Sequence, residues 1–600
     1  MLPRRLKMSG QAGWIRKWVV RLLVLSLLST VLFMYCLTQV EQESQINWRH
    51  SQDVGIVRRD ILKAKALTAE DDGVIQERLD EIRKEILSAD RPRPPDSVYN
   101  LNVTLSDRLP LRRDVPDARS QDCKRLVYDR DKLPNVTVIM PFYNEALSML
   151  LRAIHALLDR TPSRLLVEII LIDDASKNED LKEPLTKYIR LLKKVRLVRS
   201  IKREGLIRAR MLAASLATGE VIIFHDAHTE VNHGWVEPIL QYLKDNPHSV
   251  VQPAVDEIDQ WTIAYRSGAD RMRGGFGWDM KYVWMATPEF ELKKLKTFAD
   301  AYRTPTLVGC AIAVTKKYFQ EIGGFDEGLN IWGGENIELA FRVWLCGGSV
   351  MTVPCAHVGH VFKPFSYSFD GDKEKIVAKN IMRVAELWMG PYRRYMYAAT
   401  RAFDYKRVDF TPRDIALIRS RKTWITDRHK CKSFDWFLNN IIPEHNIPPL
   451  NAKNFGEVMN TASRACLEVD DHGYIVMTYD CYYSRVRPEN EFALYHDGRL
   501  KLRDKCVTLH YPSLMLTLQD CDMKHIQTFW DLNPITPSYG NIVITIIDRG
   551  VERTLCIEQV TAVVEPLDGK QAPQATICRT ENNAFQLWTF SYALDYSHYP

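Results

Sequence analysis

The stretch Val221-Ile222-Ile223-Phe224-His225-Asp226-Ala227-His228 decides how the rest of the chain is read. Four apolar residues in a row, too few for a helix, predict a buried strand of a parallel sheet. The run then stops at a carboxylate and an imidazole two positions apart. Ligands of open α/β sheets bind beyond the carboxyl ends of strands. In an extended segment residues i and i+2 share a face, so Asp226 and His228 are expected to point at one spot. Carboxylate oxygen suits hard cations and imidazole borderline ones, so the pair fits Mn²⁺ or a similar ion set against a diphosphate. The alternative is a strand-end Asp that caps the following turn.

Upstream the pattern alternates strand and helix. Val136–Phe142 predicts a strand, Glu145–Leu158 a helix, and Leu166–Ile172 a strand ending in Asp173-Asp174. Lys182–Leu192 predicts a helix, Val195–Ser200 a strand and Gly205–Ala217 a helix leading into the opening stretch. The result is a βαβαβ run, a nucleotide-binding half-sheet. Asp173 ends a strand as Asp226 does, a place for a carboxylate that meets a base or ribose. A helix N-cap is the alternative role.

Downstream, Ile331-Trp332-Gly333-Gly334-Glu335-Asn336-Ile337-Glu338 precedes an amphipathic helix. Two glycines there let backbone approach a ligand closely. Glu335 and Asn336 offer a carboxylate and an amide side by side, suited to sugar hydroxyls, with capping as the alternative for the acid. Val358-Gly359-His360-Val361-Phe362 supplies a third imidazole for a cation, although a lone His is more often structural. From about Asn454 the chain has strand character and no helical periodicity. Cys466/Cys481, Cys506/Cys521 and Cys556/Cys578 recur at roughly 40–50 residues, the interval of a repeat. Each repeat begins Cys-apolar-x, and Gln527-Thr528-Phe529 and Gln586-Leu587-Trp588 repeat a Gln-x-aromatic later. Three such repeats imply a β-trefoil. With Cys123, Cys346, Cys355 and Cys431, ten cysteines are available to pair in an oxidising compartment, leaving Cys36 and Cys310.

Six hundred residues exceed what one hydrophobic core fills, so several domains are expected. The net charge of +6 comes wholly from Arg4, Arg5, Lys7, Arg16, Lys17 and Arg21, and the rest balances 75 basic against 75 acidic residues. That balance argues against a nucleic-acid partner. Leu22 to Val40 carries no charge and spans about 28 Å as a helix, enough to cross a bilayer. With all six cations before it or at its edge, the N-terminus is expected in the cytosol. A cleaved signal peptide is the alternative, but no convincing small-x-small cleavage site follows. From Glu41 to about Arg119 the chain is polar and core-poor. Ile75, Leu79, Ile82 and Ile86 suggest one amphipathic or coiled helix, ended by Arg91-Pro92-Arg93-Pro94-Pro95. Asn102-Val103-Thr104 and Asn135-Val136-Thr137 are N-glycosylation acceptor triplets.

These residues together resemble a known family, the polypeptide N-acetylgalactosaminyltransferases, the Golgi enzymes that begin mucin-type O-glycosylation. The resemblance runs from the anchor to the C-terminus. It rests on Phe142-Tyr143-Asn144-Glu145-Ala146, Arg203-Glu204-Gly205-Leu206, Asp226-Ala227-His228, Gly274-Gly275-Phe276-Gly277-Trp278, Trp332 to Glu338, and Gly359-His360-Val361-Phe362. It implies a GT-A α/β catalytic fold followed by an all-β ricin-type β-trefoil lectin domain. It further implies UDP-GalNAc as donor, Mn²⁺ as cofactor, and transfer to Ser or Thr of peptides or glycopeptides with retention at the anomeric carbon. By resemblance Asp226, His228 and His360 are the metal ligands, and Asp173 and Arg203 contact uridine. Glu335 and Asn336, with Trp332 nearby, form the sugar and acceptor side, and Gly309, Lys363 and Tyr367 line the donor. The family pattern pairs Cys123–Cys355 and Cys346–Cys431, with one bridge in each trefoil repeat.

The chain also departs from the family. Two glycines usually face the donor sugar, whereas this chain has Gly309-Cys310, whose side chain is expected to crowd GalNAc. The usual lid of Arg and then His-Pro-Tyr is here Lys363-Pro364-Phe365-Ser366-Tyr367. Lys keeps the charge but not the planar fork suited to diphosphate. The sugar-binding aspartate of each trefoil repeat is Glu468, Thr508 and Glu558. The resulting layout is a cytoplasmic tail (1–17), a signal-anchor helix (18–40), a stem (41–119), a GT-A domain (120–435), a linker (436–453) and a trefoil (454–595), with the stem helix suggesting a dimer. The leading expectation is an active Golgi transferase facing the lumen. The runner-up is an accessory relative that binds nucleotide, glycopeptide or a partner enzyme. A zinc hydrolase built on Asp226, His228 and His360 leaves the anchor, half-sheet and trefoil unexplained.

Overall fold

The parallel strands expected around the opening stretch form as a set: β1 (Val136–Phe142), β2 (Leu166–Asp173), β3 (Val195–Arg199) and β4 (Val221–His225). They are linked by α1 (Leu147–Arg160), α2 (Glu183–Ile189) and α3 (Leu206–Leu216). Their spatial order is β3-β2-β1-β4, all parallel. β1 and β4 are buried at every position, as the continuous apolar runs require when helices cover both faces. This computed structural model describes residues 72–88, 96–268, 271–363, 369, 371–402, 410–445, 447, 449–479, 481, 490–510, 513–521, 529–536, 539–548, 551–563, 571–581 and 583–593. The tail, the anchor helix, the first part of the stem and lid positions 364–368, Tyr367 among them, lie outside the described residues. Among the described residues no helix is long and apolar enough to cross a membrane.

Four further strands extend the sheet around β4. β7 (Ala311–Thr315) runs antiparallel to β4 with Ala311 opposite His225. β6 (Ser249–Ile258) lies beyond it, parallel to the long β8 (Ser349–Val361). The short β5 (Thr229–Val231) leaves the Asp-Ala-His turn and pairs with the end of β8, with Thr229 opposite His360. That single register brings His360 to the end of β4 from far along the chain.

Two helix boundaries differ from expectation for local reasons. The first helix starts at Leu147 rather than Glu145, because Asn144 adopts a left-handed backbone (φ 48°) and turns the chain. Asn144 Oδ1 accepts from the backbone of Lys177 and Asn178, tying the ends of β1 and β2 together. The helix expected over Lys182–Leu192 is broken into a 3₁₀ turn, Glu179–Leu181, and a shorter α2 with Pro in its first turn.

The stem expectation needs the larger correction. The helix Asp72–Ser88 forms, but Ile75 and Leu79 are buried in the same core cluster as Leu185 and Tyr188 of α2. Arg83 donates to the carbonyls of Asp107 and Leu109. Leu101, Leu111 and Val115 are buried as well. Described residues of 72–119 thus belong to the body of the catalytic domain, and Ile75 and Leu79 of the apolar face proposed for a coiled dimer are covered within the chain. Sparse, widely spaced apolar residues hid this in the sequence.

The C-terminal part is all β. Strands from Ala452–Asn460 to Leu587–Ala593 pair in a ring that closes where the last strand joins the first, a barrel-like arrangement without free edges along that ring. Trp588 Nε1 donates to Ile557 O and Trp530 Nε1 to Val507 O, each beside the first Cys of its repeat. Trp530, one residue after the expected Phe529, therefore plays in the second repeat the part Trp588 plays in the third. A one-residue shift in a strand exchanges its faces. Ala452, Phe455 and Ala493 join the core cluster of the catalytic domain, so the two parts share apolar contact. All five expected disulfides are present, Cys123–Cys355, Cys346–Cys431, Cys466–Cys481, Cys506–Cys521 and Cys556–Cys578. Asn102 caps the helix Val103–Arg108, and Asn135 Oδ1 accepts from Glu220 N.

Candidate active site

Beyond β4 the chain does not continue extended, as expected, but turns at Ala227-His228, with Thr229 Oγ1 donating to Asp226 O to close the turn. The predicted convergence is reached all the same. Asp226, His228 and His360 each offer a ligand atom within 4.8 Å of the others. His360 Nε2 stands 3.5 Å from Asp226 Oδ2, and the two imidazoles lie 4.9 Å apart between centroids.

Two of the three members are held by something behind them. His228 Nδ1 bonds to Glu145 Oε2 at 2.8 Å, which fixes the ring and turns its other nitrogen to the cluster. The other oxygen of Glu145 accepts from Lys363 Nζ at 2.9 Å. Burial would raise the Glu145 carboxyl, but Lys363 and His228 together hold it well below the usual carboxylate range. Burial likewise opposes ionisation of Asp226, and the His360 bond and Arg210 outweigh it. Burial lowers the His360 imidazole against the pull of Asp226, favouring the neutral ring that a metal requires. An ionised carboxylate and two imidazoles, His228 oriented by Glu145 and His360 with a buried, unpartnered Nδ1, make a donor set that fits a borderline divalent ion.

The remaining expected residues surround this cluster. Gly333 and Gly334 take positive φ (105° and 87°), as only glycine does readily, at the start of α4 (Glu335–Leu345). Glu335 Oε2 accepts from Gly333 N, which ties the acid to the glycine turn ahead of the helix without a side-chain cap bond. Asn336 Nδ2 donates to Leu307 O, and Trp332 is half-buried beside them. Gly205, also at positive φ, bridges to Ile331, and a Cβ on it would meet Ile331 Cα at 2.4 Å. The Arg203–Leu206 segment is therefore docked directly on the segment that carries Trp332.

Asp173 is 1% exposed, and its oxygens accept from Ser176 N and pair with Arg199, which closes the turn after β2; no helix starts there, and Asn178 caps the next 3₁₀ turn. The neighbouring Asp174 is the carboxylate that meets Arg203, at 2.8 Å, and it also accepts from Glu204 N and Gly205 N. Arg203 in turn stacks over the Tyr143 ring, 3.5 Å from its centroid. Gly309 faces open space, since a Cβ there meets nothing within 4 Å. Cys310 is 3% exposed, and its thiol packs in the core cluster.

Sequence reading missed Arg210, which reaches both Asp226 and Gly309 O. A signal existed: Leu206, Ile207, Arg210, Ala213 and Ala214 share the buried face of α3, and a charge on such a face is exceptional.

Comparison with known proteins matches this arrangement. The glycosyl transferase family 2 profile covers residues 137–323, and that of the N-terminal domain of galactosyltransferase covers 292–365. Polypeptide N-acetylgalactosaminyltransferase 12 of Mus musculus is 37% identical over 435 residues, 70% of this chain and 73% of the relative. The chain belongs to the polypeptide N-acetylgalactosaminyltransferase family. Probable N-acetylgalactosaminyltransferase 9 of Caenorhabditis elegans is 37% identical over 418 residues, 68% of this chain and 71% of the relative. Polypeptide N-acetylgalactosaminyltransferase 11 of Xenopus tropicalis is 41% identical over 410 residues, 64% of this chain and 66% of the relative. The chain thus spans about two thirds of the length of the relatives it matches. A crystal structure of GalNAc-T7 with UDP, GalNAc and Mn2+ superposes with a TM-score of 0.56 at 28% identity, covering 86% of this chain and 90% of that one.

Proposed function

We propose that this family member transfers N-acetylgalactosamine from UDP-GalNAc to Ser or Thr of polypeptides, with manganese and with retention at the anomeric carbon. The observation that carries the reading is the convergence of Asp226, His228 and His360 at the end of β4, in a chain of this family. When bound, Mn²⁺ would offset the charge that builds on the departing UDP. Asp226, His228 and His360 would hold it, with Glu145 orienting His228. Arg203, braced by Asp174 and Tyr143, offers a flat cationic face to the nucleotide. Glu335, Asn336 and Trp332 would orient the sugar and the acceptor hydroxyl. Retention in this class demands no strong protein nucleophile, which agrees with the absence of an obvious one in the sequence.

The all-β part reads as the ricin-type trefoil of the family, with its three disulfide-closed repeats. The proposed setting is the Golgi membrane, with the chain as a type II protein and both domains in the lumen. Five disulfides favour an oxidising lumen, and six cations before the apolar run favour a cytosolic tail.

One observation favours the accessory reading. Lys363, at the base of the altered lid, is bonded to Glu145 rather than free for a diphosphate. UDP release from UDP-GalNAc, followed with mixed Ser/Thr peptides and glycopeptides in Mn²⁺ or EDTA, separates the two. Metal-dependent release coupled to peptide modification establishes the transferase. No release by a protein that still binds UDP with Mn²⁺ establishes the accessory role.

A further inference from the structure

Arg210 is fully buried, a place where a guanidinium is disfavoured unless its partners compensate. Nη2 donates to Asp226 Oδ1 at 3.0 Å and to Gly309 O at 2.7 Å, while Nη1 stands 3.8 Å from Glu335 Oε1. One side chain thus joins the metal turn, the loop expected against the donor sugar, and the start of α4. Neither Nε nor Nη1 has a hydrogen-bond partner. Arg342, equally buried, shows what a structural arginine looks like: it bonds to both oxygens of Glu338 and to the carbonyls of Ile322 and Gly324. Arg210 instead keeps two donors open, Nη1 next to Glu335. It also occupies one oxygen of Asp226, leaving Oδ2, the oxygen 3.5 Å from His360 Nε2.

We propose that Arg210 is a positioning residue, holding Asp226 so that Oδ2 alone faces the cation and fixing the spacing between that carboxylate and Glu335. The proposal rests on the manganese reading above. A role for charge alone would be met equally by lysine. Nη2 alone meets Asp226 and Gly309 O, but facing Glu335 at the same time takes the second arm of the guanidinium, Nη1, which the single ammonium of lysine does not reproduce.

The test titrates MnCl2 into the full chain with saturating UDP, by calorimetry, alongside turnover and thermal unfolding. Arg210→Lys is expected to lose about tenfold in Mn²⁺ affinity, the scale for groups that orient metal ligands. Its kcat falls, its KM for acceptor peptide does not change, and its unfolding midpoint stays near that of the unaltered chain. Arg210→Gln, which carries no charge, loses at least as much and serves where the lysine variant fails to fold. Affinity within twofold of the unaltered chain, in whichever variant folds, overturns the proposal. Absence of Mn²⁺ binding by the unaltered chain overturns this proposal and the manganese reading together, whereas equal binding by chain and variant overturns this proposal alone.

Discussion

Two arginine–carboxylate pairs in this molecule look alike and mean different things. In the α/β domain Arg210 meets Asp226, and in the third repeat of the β domain Arg579 meets Glu558. Glu558 has no oxygen to offer: Oε1 is taken by Arg579, and Oε2 accepts from Thr576 Oγ1 and Gln586 Nε2. Gln586, of the repeated Gln-x-aromatic motif, is itself buried and bonded to Thr576 Oγ1, Ile577 O and Arg579 N. Asp226 keeps Oδ2 open among two imidazoles. The presence of a pair says little, and what it leaves unsatisfied says where a ligand belongs.

The largest effect is expected from removing that open oxygen. Asp226→Asn should lower metal-dependent UDP release by about a thousandfold or more, since a catalytic cation contributes several kcal/mol. Circular dichroism should show an unchanged fold. Persistence of metal-dependent turnover would collapse the contrast between the two carboxylates.

Acid separates the two regions by stability. Burial pushes His155 and His445 down to about 4, helped at His155 by Arg112. His155 bonds to Tyr188, and His445 sits between Phe276 and Trp278 with neither ring nitrogen bonded. A folded-state value below the ordinary 6.5 means the neutral ring stabilises the fold fully above 6.5, and that stability is lost as pH falls towards 4. Each site is worth at most about 3 kcal/mol. Calorimetry from pH 7 to 4 should show the catalytic domain's transition moving down first, and His445→Phe should flatten that dependence. Equal movement of both domains would remove the distinction.

Glu145→Gln is the next step down. Glu145 braces His228 and holds Lys363. Losing the carboxylate should weaken Mn²⁺ binding by about 10- to 100-fold while the β domain's unfolding is unaffected. Unchanged Mn²⁺ affinity would mean His228 is oriented without it.

What was legible in the sequence follows from range. Strands β1 and β4 announced themselves because a central strand covered on both faces must be continuously apolar. The Cys spacing announced three repeats of the β domain. Register did not show: nothing in residues 358–360 says that Thr229 will lie opposite His360, although that pairing builds the site. Polar neighbours were also ambiguous. Asp173 and Asp174 end the same strand, and only the pleat decides that the first closes a turn while the second meets Arg203. The stem misled because a helix with few apolar residues reads as solvated until its partner, α2, is in place.

The smallest effect is expected at Cys310, where the contrast between open and occupied is finest. The residue's carbonyl accepts from Asp226 N at 3.0 Å, so its backbone supports the metal turn directly. Its side chain is buried in the core cluster, whereas its neighbour Gly309 faces open space. Had the thiol stood in the donor pocket, Cys310→Gly would speed turnover by relieving a clash. With the thiol packed inside, the same change removes buried volume and adds backbone freedom, costing about 1–2 kcal/mol of stability. A midpoint lowered by a few degrees with turnover within about twofold is therefore the expected result. A several-fold rise in turnover would show that the side chain leaves the core when donor binds, and that position 310 belongs with the open groups of the site rather than with its support.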